Sequence, residues 1–561
     1  MLIDINRTLL NANQHLEAVL DLRRLDFVAR PQITPCIPAT IKILMVADSG
    51  ITFGSDAFGL QKVIDSLKTP VYDFVYFDIQ FAHRQQGASR EGDPYNPTYT
   101  NFRFDRKDSD GKYTIDQYDQ IWCFAFAVNE DALSDSELEV LARWMDDENR
   151  QGGILAMGDH DELGAAMCSK IPRVSTMRYW RRSSTPGEFT VPPAIGPSRY
   201  DTNRPATLGQ RNIAGNPDII PFDNQKDAVP QPIEVKQYPL QPEVVIPASY
   251  WPHPILCDPE KGSINVLPDH AHEGRVVEDR DIKLSTDYQF NQYKGLHYPS
   301  NENGYRPVPE VIAWANTLAD PPYRHEKGAT AAKRFGLVSV YDGNQAGVGR
   351  VVVDTTWHHW LNINLEGLES GNPEAYALIQ SYFRNVGIWL ARGSLRRRML
   401  CSALWNSVFT AEAMEAYSTT TPIEVLGNQA RSVLRKHIGG CMLLDWMQVW
   451  LIPSIQIEIE QLYIEDPLCL TCPPIARIQE HLLGGVIQEM LPLRDELIQA
   501  NQQVSSPVVE PVQEVQVMAA LDRGIQNGFS SFSTAYNNTV ERGLAVQPLM
   551  NELFDNGLSA S

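Results

Sequence analysis

The sequence predicts an α/β protein: a doubly wound, mostly parallel sheet, interrupted by a long loop-rich insertion and followed by an all-α C-terminal domain. Three observations predict it. Short apolar runs alternate with helical patterns from residue 40 onward, the rhythm of a parallel sheet covered by helices. Between Pro172 and Pro322 lie 22 of the 38 prolines, and helical patterns become scarce there. From about residue 395 apolar residues recur at helical spacing to the end. A chain of 561 residues is long enough for two or three cores. The boundaries read as an N-terminal helical segment (1–39), an α/β domain (40–392, insertion about 172–334) and a helical C-terminal domain (393–561).

The elements follow in order. Leu9, Leu10, Leu16, Val19, Leu20 and Leu22 mark an amphipathic helix that Pro31, Pro35 and Pro38 end. Residues 41–47 form a buried strand running into Asp48-Ser49-Gly50, with a helix over 58–67. Strands are expected at 72–77, 120–126 and 154–157. Between the last two, Ser134 with Glu137 three residues on gives a capping box, and the helix runs to about Asn149. The insertion is too rich in Trp, Tyr, Val and Ile for a linker, so it reads as ordered loops and short strands. Strands at 335–341 and 349–354 resume the sheet, and a helix over 373–390 closes it. Further helices carry Ala430, Val433 and Leu434; Met442, Leu444, Trp446, Val449 and Trp450; and Ile478 through Leu491. A short linker lies at 505–511.

Composition removes several function classes. With 69 acids against 48 bases the net charge is −21, which opposes a broad nucleic-acid surface. Arg396-Arg397-Arg398, with Arg392 just before, reads as a helix start or salt-bridge face rather than a phosphate site. No run approaches the ~18 apolar residues of a membrane span, and no signal-peptide core follows Met1. Cys469 and Cys472 sit between Pro467 and Pro473-Pro474, a turn with reduced thiols rather than a zinc site. A cytoplasmic protein is expected.

Three polar constellations hold five of the twelve histidines, each at a strand end or in a loop. Gly158-Asp159-His160-Asp161-Glu162 breaks sharply from an apolar strand into a helix start, an elbow that lifts side chains over the sheet edge. Asp159 and His160 are its acid–base candidates, and Asp161 a ligand-binding one. Asp269-His270-Ala271-His272-Glu273 sets two imidazoles on one side of extended backbone. Such a set suits a divalent metal, the one cofactor the sequence suggests. Asp354-Thr355-Thr356-Trp357-His358-His359-Trp360 ends a strand. Its His358 and His359 are catalytic candidates, and Trp357 lines the ligand. Asp48 and Ser49, ending the first strand, face the same crevice. No GxGxxG or P-loop is present, so nucleotide binding is not expected.

The strand order, the glycine-bounded elbow and the strand-to-His segment resemble the class I glutamine amidotransferase-like superfamily. Within it the ThuA-like (trehalose-utilisation) branch, which lacks the nucleophilic cysteine, looks closest. The resemblance covers residues 40–392 apart from the insertion and implies a flavodoxin-like sheet. Leu155-Ala156-Met157-Gly158 then matches the nucleophile turn, with Ala156 in the cysteine's place and Cys168 on the following helix. His358 or His359 matches the catalytic histidine, but Trp360 and Leu361 stand where an acid would follow. The expectation is an amidotransferase-like domain without glutaminase activity, acting as a ligand-binding or assembly subunit. It would meet a small molecule at the crevice, and a protein partner or second copy through its helical C-terminal domain. The alternative is a hydrolase, metal-assisted or not, built from these Asp and His residues.

Overall fold

The computed structural model describes residues 36–85, 93–159, 162–180, 228, 230–239, 250–268, 274–317, 333–409, 417–448, 475–502 and 514–558. The chain divides into two compact units, one of Pro38–Leu400 with Arg435–Pro474, the other of Met1–Ile37, Cys401–Leu434 and Ile475–Ser561.

The first unit is built on a mixed eight-stranded sheet. Its strands are β1 (Ala39–Ala47), β2 (Val75–His83), β3 (Gln120–Phe124), β4 (Gly153–Met157), β5 (Glu234–Val235), β6 (Glu310–Thr317), β7 (Lys333–Tyr341) and β8 (Val351–Asp354). They lie in the order β2-β1-β3-β4-β8-β7-β6-β5. The first five in that order pair in parallel, and the last three are added antiparallel. The central parallel strands β3, β4 and β8 are buried throughout, as strands covered on both sides must be, while the edge strand β2 exposes Tyr76. Leu44, Val46, Cys123, Ile154 and Val353 join one core with Leu138, Leu141 and Met145 of helix α2 (Asp135–Asp146), which follows α1 (Gln61–Lys68). On the other face Trp122 and Phe124 meet Trp360, which packs on Phe383.

The antiparallel edge departs from the mostly parallel expectation, and chain length explains it. Only residues 342–350 separate β7 from β8, too few for the crossover of a dozen or more that a parallel pair needs. β6, eight residues inside the insertion, was hidden from the sequence reading by Pro307 and Pro309 just ahead of it. The second strand lies three residues later than expected, at Val75–His83.

The capping box forms as predicted: Ser134 Oγ accepts from Glu137 N, and Glu137 accepts from Ser134 N. Glu137 also receives Arg84 at 2.6 Å, both side chains buried. Burial pushes the Glu137 carboxyl up, but Arg84 outweighs it and holds the carboxyl low. α3 (Ala165–Cys168) follows the elbow; α4 (Asn362–Gly371) and α5 (Pro373–Trp389) follow β8. α6 (Gly393–Ala403), α7 (Ile423–Ile438) and α8 (Gly440–Gln448) come next. Of the arginine run, Arg396 is buried and donates to Asp445 on α8 and to Asn344, so it is structural. Arg350, 1% exposed, grips Asp445 and Asp342 together.

The second unit is helical in its described residues, with α9 (Ile475–Gln502) packed along α10 (Glu514–Leu558). Ile478, Leu482, Leu483, Val486, Ile487, Met490 and Leu491 are buried, as their spacing predicted. Cys36 and Cys401, which no sequence pattern paired, form a disulfide. Cys469 and Cys472 lie outside the described residues. Among the described residues, no helix is long and apolar enough to cross a membrane.

Replacing Arg350 with Leu leaves Asp342 and Asp445 short of a partner. We expect a loss of about 3–5 kcal/mol in denaturant unfolding; a loss below about 1 kcal/mol would show the pairs to be dispensable. Two buried histidines set an acid limit. Burial pushes His253 down to about 3 and His297 down to about 4. Both stay neutral when folded, whereas the unfolded chain protonates them near 6.5. Each therefore withdraws about 1.4 kcal/mol of stability per pH unit below about 6.5, until its folded pKa is reached. Unfolding midpoints should fall steadily between pH 7 and pH 5, and a flat profile would contradict this account.

Candidate functional site

Sheet register brings the candidates together. Ala47, Phe124, Met157 and Asp354 are paired neighbours in one row across β1, β3, β4 and β8. The residues after them leave the sheet at one level, its carboxyl edge, where α/β proteins place ligands. β1 leads to Asp48, β4 to Gly158-Asp159, and β8 to the turn carrying His358 and His359.

Asp354 organises the edge. Its carboxylate accepts from Thr356 N (3.2 Å), Trp360 Nε1 (3.0 Å) and the Tyr382 hydroxyl (3.0 Å), and it meets His359 Nδ1 at 2.8 and 2.9 Å. Burial, with Asp354 alongside, keeps Tyr382 protonated far above the ordinary range. Facing an acceptor-only group, a neutral His359 ring carries its proton on Nδ1 and its lone pair on Nε2. That Nε2 is buried, with no hydrogen-bond partner among the described residues.

His358 is held differently. Its ring stacks on Trp357 at 3.7 Å, and Trp357 packs against Phe58 and Phe126. Thr356 Oγ1 accepts from His358 N at 3.1 Å. The Asn364 amide nitrogen lies 3.2 Å from His358 Nδ1, which leaves the proton on Nε2, 3.9 Å from Asp159 Oδ2. That is ion-pair rather than hydrogen-bond distance.

Arg178 supplies the positive charge. It donates to Thr355 O (3.0 Å) and Tyr179 O (3.1 Å) and lies over the Trp180 ring. Burial lowers its pKa to about 10, while Asp159 and Asp354 nearby support the charged form, so it stays cationic at neutral pH. Two glycines make room for it. A Cβ on Gly158 would strike Leu163 O and Trp180, and one on Gly274 would strike Arg178 and Thr355 O. The elbow is further fixed by paired backbone bonds between Asp159 and Leu163.

Asp159, His358, His359 and Trp357 thus lie along one edge of the sheet. Asp48 lies on the same edge, but its carboxylate is occupied by Phe126 N (2.6 Å) and Ala127 N (3.1 Å); burial raises its pKa. It staples two loops together rather than facing a ligand. Ser49 is partly exposed in a left-handed turn, φ 51°. His160 and Asp161 lie outside the described residues, as do Asp269, His270, His272 and Glu273. Gly274, directly after that His-rich segment, touches the site. Among the described residues no group of three or more His, Cys, Asp or Glu is arranged to hold a metal.

Sequence reasoning missed Asp354 as the partner acid, because an acid was sought after the histidines and not five residues before them. Its place at a strand's carboxyl end was the available signal. Arg178, Asn364 and Tyr382 carried no motif. Ala156 lies inside the core between Cys123 and Val353. Cys168 is buried, and burial together with Cys123 pushes its thiol well up, so it supplies no thiolate.

Nitrogen NMR of the intact protein tests the arrangement. His359 Nε2 should resonate as an unprotonated ring nitrogen and His358 Nε2 as a protonated one. Tyr382→Phe should keep this pattern at a cost of about 1 kcal/mol, and Asp354→Asn should lose it for His359. Matching patterns for both histidines in the wild type would refute the assignment.

Compared with protein-family models, curated proteins and solved structures, the chain matches none.

Proposed function

We propose that the carboxyl-edge cluster carries out acid–base hydrolysis of a small bound molecule without a covalent thiol intermediate. The domain carrying it is amidotransferase-like but does not act on glutamine. The observation behind this reading is the Asp354–His359 pair: a buried carboxylate fixes the Nδ1 proton and leaves Nε2 as the base. Arg178, beside Asp159, is suited to an anionic or carbonyl oxygen of the ligand. His359 would take a proton from water and then return that same proton to the leaving group, while His358 would donate a hydrogen bond through its Nε2 proton without losing it. The parallel strands alone run 2-1-3-4-5, an order that supports a flavodoxin-like assignment for that part of the sheet.

A second reading is a ligand-binding or assembly subunit without turnover. It is favoured by the side chains of Asp159, Asp354, His358 and His359, all of which show no exposure.

The test is hydrolysis by the full chain of a panel of aryl esters, lactones and amides, beside ammonia release from L-glutamine. We expect no ammonia, turnover of at least one panel member, and a loss of about 100-fold or more in kcat/KM for His359→Gln. Cys168→Ser should retain full activity. Undiminished activity in His359→Gln would overturn the proposal. Binding without turnover across the panel would favour the second reading.

A further inference from the structure

The α/β unit holds a cysteine pair outside the candidate site. Cys257 follows the short turn Pro254–Leu256 within the insertion, and Cys441 is the second residue of α8. Their sulfurs lie 2.8 Å apart across 184 residues of sequence. A disulfide bond is ~2.0 Å long, so the two atoms are already closer than a free contact requires.

The approach is fixed from both sides. Asn385 on α5 donates to the carbonyls of Ile255 (3.2 Å) and Cys257 (2.9 Å), and Ser381 donates to Asp258 at 2.7 Å. Opposite, Asp445 anchors α8 through Arg350 and Arg396. Gly439, φ +79°, brings the chain into α8 close beside the Cys257 sulfur.

We propose that Cys257 and Cys441 are an oxidisable pair that peroxide converts into a disulfide. The two thiols have different roles. The Cys441 side chain and backbone N–H both face Cys257 and favour its thiolate, although burial opposes it, while the Cys441 thiol is pushed up. The Cys257 thiolate attacks one peroxide oxygen; an S–O bond forms, the O–O bond breaks, and hydroxide leaves. The Cys441 sulfur then attacks the Cys257 sulfenic acid. The S–S bond forms, the S–O bond breaks, and the departing hydroxide takes the Cys441 proton. In sum, two thiols and one hydrogen peroxide give one disulfide and two waters, the thiols supplying both electrons. Cys257 is 8% exposed and Cys441 4%, which suits a small oxidant.

The experiment is non-reducing peptide mapping of the full chain before and after a few-fold excess of hydrogen peroxide, with alkylation under denaturing conditions. The expected product is one species joining the Cys257 and Cys441 peptides, two hydrogens lighter than their sum and reversed by dithiothreitol. Alkylatable thiols should fall by two per chain, and the unfolding midpoint should rise by roughly 5–10 °C. In Cys441→Ser, dimedone should label Cys257, the sulfenic acid having lost its resolving thiol. The proposal is overturned if both cysteines remain alkylatable after peroxide, if either joins another cysteine instead, or if Cys257 advances to sulfinic acid while Cys441 stays free.

Discussion

One buried carboxylate decides how the chain leaves the central sheet. Asp354 closes β8 and collects donors from Thr356, His359, Trp360 and Tyr382. Three lie in the turn that follows, and the fourth is on α5, so one group ties strand, turn and helix together. Each of those donors is buried, and a buried donor without an acceptor costs about 1–3 kcal/mol. The direction of the His358–His359 turn, and the ring orientation of His359, therefore follow from a single side chain.

That anchor operates in a setting short of water, where charge balance has to be local. Arg178 stands beside two carboxylates, and Arg350 beside two others on a different part of the unit. In both places one guanidinium spreads its donors over several acceptors, which suits its planar geometry better than a lysine's. The difference lies in what each serves. Arg350 joins α8 to the sheet, while Arg178 lies against the turn that carries the imidazoles. A low effective dielectric strengthens such interactions and penalises any unpaired member.

Much of the fold was legible in the sequence because local patterns carried it. The strands at 41–47, 120–126, 154–157 and 349–354, the Ser134–Glu137 cap and the buried face of α9 all followed from spacing. What spacing does not encode is direction. The short link from Tyr341 to Val351 was visible, yet its consequence for strand sense depends on a neighbour in the finished sheet. The site was legible to the extent that strand ends mark it: Asp159, His358, His359 and Trp357 lie along one edge of the sheet. Arg178 and Tyr382 reach the same place from the insertion and from α5, and no local pattern announces either. Asp48 met the same positional rule and serves the backbone instead.

Gly274 carries a further consequence. It lies inside the long insertion, wedged between the Arg178 guanidinium and the carbonyl of Thr355, without space for a methyl group. It fixes the path of the chain where the insertion meets the turn after β8. Any sequence adopting this arrangement needs a glycine at this point. Anyone transplanting a different loop onto this scaffold would do well to end the graft at residue 273.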